Sequence, residues 1–242
     1  MNQCKIFANV SSIETTGLVD GPGIRVVVFL QGCNLRCLYC HNPETWNNEE
    51  KNIMSVDDIV SKVLKYKNYI SKNGGVTFSG GEPLLQSDFI YECAERLKKD
   101  NIHICVDTSG VASGYEKVVD LVDLFILDVK SIYSDEYKYI TGKDIDKFNE
   151  FVDFIHKKNK ELWIRQVVVP TINDDEKHII DLANYVNGLK NVRKVELLPY
   201  HTLGKDKYVR LNIKYRLEGI EGISNEKMNY LREVLDNHLR LK

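Results

Sequence analysis

No apolar run in this chain of 242 residues approaches the length of a bilayer span, which excludes a membrane-crossing helix. Net charge is also missing. Lys+Arg 33 against Asp+Glu 35 leaves −2, so no overall basic field exists to hold nucleic acid or anionic lipid. The N-terminal stretch MNQCKIFANVSS lacks the apolar core of a secretory signal. Low-complexity tracts and long linkers are absent. These absences set the first expectations: a cytoplasmic protein, one domain over residues 1–242, with no nucleic acid or membrane partner. In that compartment the six cysteines are expected to stay reduced. Clustered ones then point to a metal rather than to disulfides.

What is present is a repeated alternation of buried strand and amphipathic helix. IRVVVFL, starting at Ile24, is nearly all apolar and predicts a strand covered on both faces. SVDDIVSKVLKYKNYISKN predicts a helix with Ser55 as N-cap and Asp58 in its first turn. Further strands are predicted at GVTFSGG, HICVDTSG, LFILDVK, LWIRQVVVP and KVELLPY, with helices between them and an amphipathic helix at the C-terminus. Lys98-Lys99 and Lys157-Lys158 fall at predicted helix ends, where they complement the macrodipole. Six strands alternating with helices imply a parallel sheet with right-handed crossovers. The expected fold is α/β, an incomplete barrel or strongly curved sheet. Sites in such sheets lie at the C-terminal strand ends.

The chemistry-bearing stretches all follow predicted strands. LQGCNLRCLYCHNPETW holds Cys33, Cys37 and Cys40 as C-x3-C-x2-C. Three thiols are one short of a closed zinc or electron-transfer site. His41 adjoins Cys40, but consecutive residues seldom both reach one metal. Cys93 and Cys105 read as core packing and Cys4 as uninformative. A cubane cluster held by three thiolates accounts for the number, with one iron open to a small molecule.

SGGEP places Gly80, Gly81 and Glu82 after a strand, where glycines let backbone approach a ligand. Asp107 and Asp128 end two strands, and either helix capping or a cation site would explain them. Lys130 shares a face with Asp128. Arg165 lies within an apolar strand, and a structural salt bridge and a ligand contact are both open. His201 follows the sixth strand, with a surface role and a ligand role equally open. Asp20 belongs to the turn DGPG.

The three cysteines, with Tyr39 just before the last, resemble the hallmark of the radical SAM superfamily. DGPGIR, QGCNLRCLYCHNPETW, SGGEPLLQ, DTSG, LDVK, WIRQVVVP and ELLPYHTLGKDKY resemble, in this order, the pyruvate formate-lyase activating enzymes. The resemblance runs from about Ile13 to Tyr208. It implies an incomplete (β/α)6 barrel with a [4Fe-4S] cluster on Cys33, Cys37 and Cys40. It also implies S-adenosylmethionine at Tyr39, Cys40, His41, Gly81, Asp128, Val129, Lys130, Arg165 and His201. A monovalent cation is implied at Asp107, Thr108, Asp128 and the Ile126 carbonyl, and a contact to the partner's glycine loop at Asp20. The implied activity is hydrogen abstraction from a glycine of pyruvate formate-lyase by a 5′-deoxyadenosyl radical. A low-potential donor such as flavodoxin or ferredoxin and a monomeric state are expected. No cysteine lies between Cys40 and Cys93, so the ferredoxin-like module of many related activases is absent. Three alternatives stand beside this reading: an activase of another glycyl radical enzyme, a radical SAM enzyme of a small molecule, and a metal-stabilised binding or electron-transfer module.

Overall fold

A computed structural model describes residues 6–49 and 52–241; Cys4 lies outside them. These residues form two compact units, the first built from residues 6–34, 45–49 and 52–126, the second from 35–44 and 127–241. Among the described residues no helix is long and apolar enough to cross a membrane.

In the first unit, β1 (Phe7–Gly17) pairs antiparallel with β2 (Arg25–Leu30) and with β3 (Ile53–Ser55). β2 pairs parallel with β4 (Gly75–Gly80), and β4 parallel with β5 (His103–Thr108). Arg25, Val26, Val27, Val28 and Leu30 are all buried, as a parallel strand covered on both faces requires. The crossovers carry α1 (Val56–Lys65), the short α2 (Lys67–Ile70), α3 (Ser87–Lys98) and α4 (Glu116–Leu121). Ser55 caps α1 reciprocally: its hydroxyl accepts from Asp58 N at 3.2 Å, and the Asp58 carboxylate accepts from Ser55 N at 2.9 Å. On α3, Phe89, Ile90, Cys93, Ala94 and Leu97 are buried, the expected stripe. The helix expected from Ser55 onward is broken at Tyr66, between α1 and α2.

β6 (Leu124–Asp128) begins in the first unit, where Asp123 N donates to Ile104 O at 3.0 Å, and ends in the second. There follow α5 (Ser134–Thr141), α6 (Asp146–Lys157), β7 (Glu161–Val168), α7 (Glu176–Asn187) and β8 (Val192–Pro199), then α8 (Lys205–Arg210) and α9 (Asn225–His238). Val129 N donates to Arg165 O at 2.8 Å, and β7 pairs parallel with β8. Lys98 and Lys157 end α3 and α6, as expected from the macrodipole.

All six expected strands form, but the described residues form eight. β1 was not expected because two register shifts, at Val10/Ser12 and Glu14/Gly17, break its period-two pattern. β3 is three residues long and carries no periodic signal.

Candidate functional site

In the first unit, Cys33 follows β2 and Gly81 follows β4, and the backbone between them is closely stitched. Gly81 N donates to Leu30 O at 3.0 Å and Glu82 N to Gly32 O at 2.8 Å. A Cβ on Gly81 would lie 2.2 Å from Gly32 O and 3.1 Å from Cys33 Cβ. Only glycine permits this approach. At the end of β5 the Asp107 carboxylate accepts from Ser79 Oγ at 3.2 Å. The Thr108 hydroxyl donates to Glu82 Oε1 at 2.6 Å and accepts from Gly110 N at 2.9 Å. Helix capping does not explain this stretch, because α4 starts at Glu116, after Tyr115 as N-cap, with no side-chain cap. Ile126 is fully buried in β6.

Asp20 sits in the turn between β1 and β2. Its carbonyl accepts from Thr77 Oγ1 at 2.6 Å, and Thr77 Oγ1 accepts from Arg25 Nε at 2.5 Å. Arg25 also donates to Pro22 O at 3.0 Å and Val76 O at 2.6 Å. A fully buried guanidinium thereby holds the DGPG turn by its backbone.

In the second unit Lys130 is buried, and Asp128, Arg165, His41 and His201 are half-buried. Lys130 is ion-paired with Asp128, and its ammonium lies 5.3 Å from the Tyr39 ring centroid. Burial pulls the lysine towards neutrality, but Asp128, Tyr39 and Cys37 outweigh it and hold its pKa well above the ordinary value. Burial pushes the Tyr39 hydroxyl well above its ordinary range despite the nearby Lys130. His41 and His201 stack with centroids 4.0 Å apart, and His41 Nε2 donates to the His201 carbonyl at 3.1 Å. Burial lowers the His41 pKa, with His201, Lys207 and Lys130 adding to the effect against the carbonyl hydrogen bond. Arg165 Nε donates to Glu196 Oε2 at 3.0 Å, the structural ion pair that the sequence left open. Burial opposes ionisation of Glu196, but Lys194 and Arg165 hydrogen bonds hold its carboxyl below the ordinary value.

The residues fit a cluster and a polar ligand. None of the five described cysteines is in a disulfide, and Cys93 and Cys105 are fully buried core residues. That leaves three thiols on the loop, none of them replaced by another donor. Among the described residues no three His, Cys, Asp or Glu side chains form a group able to hold one ion. Three atoms at the candidate cofactor residues are buried without a hydrogen-bond partner: Tyr39 Oη, Asp128 Oδ1 and His201 Nδ1. Unpaired buried polar atoms are costly, and a polar ligand would satisfy them.

Residues 27–183 match the model of the radical SAM superfamily. The pyruvate formate-lyase-activating enzyme of Clostridium pasteurianum is 46% identical over 237 residues, 96% of this chain and 100% of that protein. The chain belongs to the radical SAM superfamily, among the pyruvate formate-lyase activating enzymes. The pyruvate formate-lyase 1-activating enzyme of Escherichia coli K12 is 37% identical over 238 residues, 96% of this chain and 97% of that protein. Among solved structures, Streptococcus suis SuiB bound to the precursor peptide SuiA superposes with a TM-score of 0.67 at 17% identity. The alignment covers 93% of this chain and 46% of that one. The fold class is the α/β type of radical SAM proteins, the incomplete (β/α)6 barrel, with β1 and β3 added.

Sequence reasoning about this radical SAM chain passed over two residues that organise the loops, Arg25 and Tyr208, and named Glu82 without finding its partners. Tyr208 Oη donates to Cys40 O at 2.9 Å, and the neighbouring Lys207 donates to Asn42 and Glu44 at 2.7 Å each. The signal for Arg25 was available: a charged residue beginning an otherwise apolar strand needs a partner network.

Proposed function

We propose that this chain is a glycyl-radical-generating activase whose protein substrate is pyruvate formate-lyase, working as one radical SAM domain over 1–242. The observation that carries the reading is the three-cysteine loop after β2 in a chain that spans nearly the full length of relatives bearing that name. Cys33, Cys37 and Cys40 would hold a [4Fe-4S] cluster. With S-adenosylmethionine bound, such a cluster supplies one-electron cleavage of the sulfonium and a 5′-deoxyadenosyl radical able to take a hydrogen atom from glycine.

The chain's own residues bind and orient. Gly81 offers backbone to the cofactor's amino group at a point where no side chain fits. Asp128 Oδ1, His201 Nδ1 and Tyr39 Oη are the buried polar atoms available to cofactor groups. Lys130 stays protonated and compensates Asp128. Cys40, His41, Val129 and Arg165 complete the proposed cofactor set. His41 stays neutral, donating through Nε2 to His201 and stiffening that wall. Asp107, Thr108, Asp128 and the Ile126 carbonyl are proposed for a monovalent cation. Asp20, on its fixed turn, is proposed to meet the partner's glycine loop. A flavodoxin or ferredoxin donor, a monomeric state and a cytoplasmic location complete the proposal.

The test is anaerobic reconstitution with iron and sulfide. It should yield about four irons per chain and an electron resonance signal that changes when S-adenosylmethionine is added. A protein that takes up zinc alone would overturn the reading.

A further inference from the structure

Glu82 follows Gly81 and is fully buried. A buried carboxylate is costly unless its oxygens are satisfied. Oε1 accepts from Thr108 Oγ1 at 2.6 Å and Leu84 N at 3.1 Å. Oε2 accepts from Ser109 N at 2.9 Å and Ser109 Oγ at 2.5 Å. An ionised carboxylate has about four lone-pair sites, and donors from its own unit fill them all. None remains for a ligand ammonium. The backbone of the same dipeptide is tied the other way, through Gly81 N and Glu82 N to Leu30 and Gly32.

We infer that Glu82 is a positioning residue: its carboxylate clips the Thr108–Gly110 loop to the Gly81 peptide and does not itself bind the cofactor. The inference rests on the proposed reading of Gly81 as a cofactor contact. It divides the labour in SGGEP, with Gly81 presenting backbone and Glu82 holding that backbone in place. It also narrows the part Thr108 can play. The Thr108 hydroxyl hydrogen is committed to Glu82 and one lone pair to Gly110 N, which leaves one lone pair for a cation.

The experiment compares wild type with Glu82→Gln and Ser109→Ala. Glutamine keeps the size but turns an NH2 towards donors, one of which, a backbone N–H, cannot turn away. One readout is KM for S-adenosylmethionine against kcat for its reductive cleavage by the reconstituted protein. The other is amide exchange at Ser109 and Gly110 in the cluster-free protein. Loss of a charge-assisted hydrogen bond predicts a KM rise of about tenfold or more in Glu82→Gln, with kcat within about threefold. Ser109 exchange should accelerate by about tenfold. Ser109→Ala removes one of the four donors and should show the same pattern more weakly. Should Glu82→Gln fail to fold, this second variant decides. Unchanged KM and unchanged exchange overturn the inference. So does loss of cofactor binding with Ser109 exchange at the wild-type rate, because that outcome makes the carboxylate a direct ligand. A wild type that cleaves no S-adenosylmethionine sinks the reading of the site, while the exchange comparison still judges the clip.

Discussion

Gly81→Ala inserts one methyl group at the tightest place in the proposed cofactor rim. The new Cβ would sit 2.2 Å from Gly32 O and 2.7 Å from Gly32 C, where real Cβ atoms essentially never come under 3.0 Å. The obstacle is backbone, so no side chain can swing aside. The two loops must part by about 0.8 Å, which stretches the 2.8 Å Glu82 N to Gly32 O bond beyond hydrogen-bonding range. The Gly81 N to Leu30 O bond is strained with it. Two net hydrogen bonds at about 1 kcal/mol each, plus overpacking of about 1–3 kcal/mol, give a loss of roughly 3–5 kcal/mol. For a chain of this size that lowers Tm by about 5–20 °C. Gly219→Ala is the control. Gly219 has φ +83° with nothing within 4 Å of an added Cβ, so only left-handed strain of about 1–2 kcal/mol applies. Differential scanning calorimetry of both variants decides. A Gly81→Ala loss no larger than that of Gly219→Ala would refute the argument that close backbone approach shapes this rim.

Two further perturbations follow from buried polar groups of the second unit. His178 is buried with Nδ1 3.7 Å from Glu136 and its ring edge-on to Tyr133. Burial holds its pKa below the ordinary 6.5, aided by Lys177 and opposed by Glu136, Asp175 and Asp181. As pH falls below 6.5 the unfolded chain takes up a proton that the folded state refuses, so stability falls with it. His178→Gln should flatten that limb of the Tm–pH curve, and an unaltered slope would reject the assignment. Gln166 is fully buried and neither amide atom has a hydrogen-bond partner. Gln166→Met should raise stability by about 1–3 kcal/mol, and a lower Tm would contradict this.

Much of the fold was legible because its strands are continuous apolar runs and its helices carry clean stripes. IRVVVFL and the α3 face needed no tertiary information. β1 was not legible, because register shifts hide a strand's alternation and its partners lie in other segments. At the site, residue types and strand-end positions marked the cysteines, Gly81, Asp128, Lys130 and His201. Partner assignments were beyond the sequence. The Arg165–Glu196 pair joins neighbouring strands 31 residues apart, and Glu82 finds three of its four donors 26 and 27 residues downstream. Nothing local in SGGEP or DTSG announces that contact. Asp107 and Thr108 read as a cap or a cation pair, and neither reading foretells that the Thr108 hydroxyl donates to Glu82.

The central claim is that the chain makes a glycyl radical on pyruvate formate-lyase. Its most direct test is anaerobic incubation of the reconstituted protein with pyruvate formate-lyase, S-adenosylmethionine and a low-potential reductant, followed by electron resonance. The account predicts a glycyl radical signal on the partner, absent when the partner's radical-bearing glycine is replaced by alanine. Cleavage of S-adenosylmethionine with no radical on pyruvate formate-lyase would contradict it.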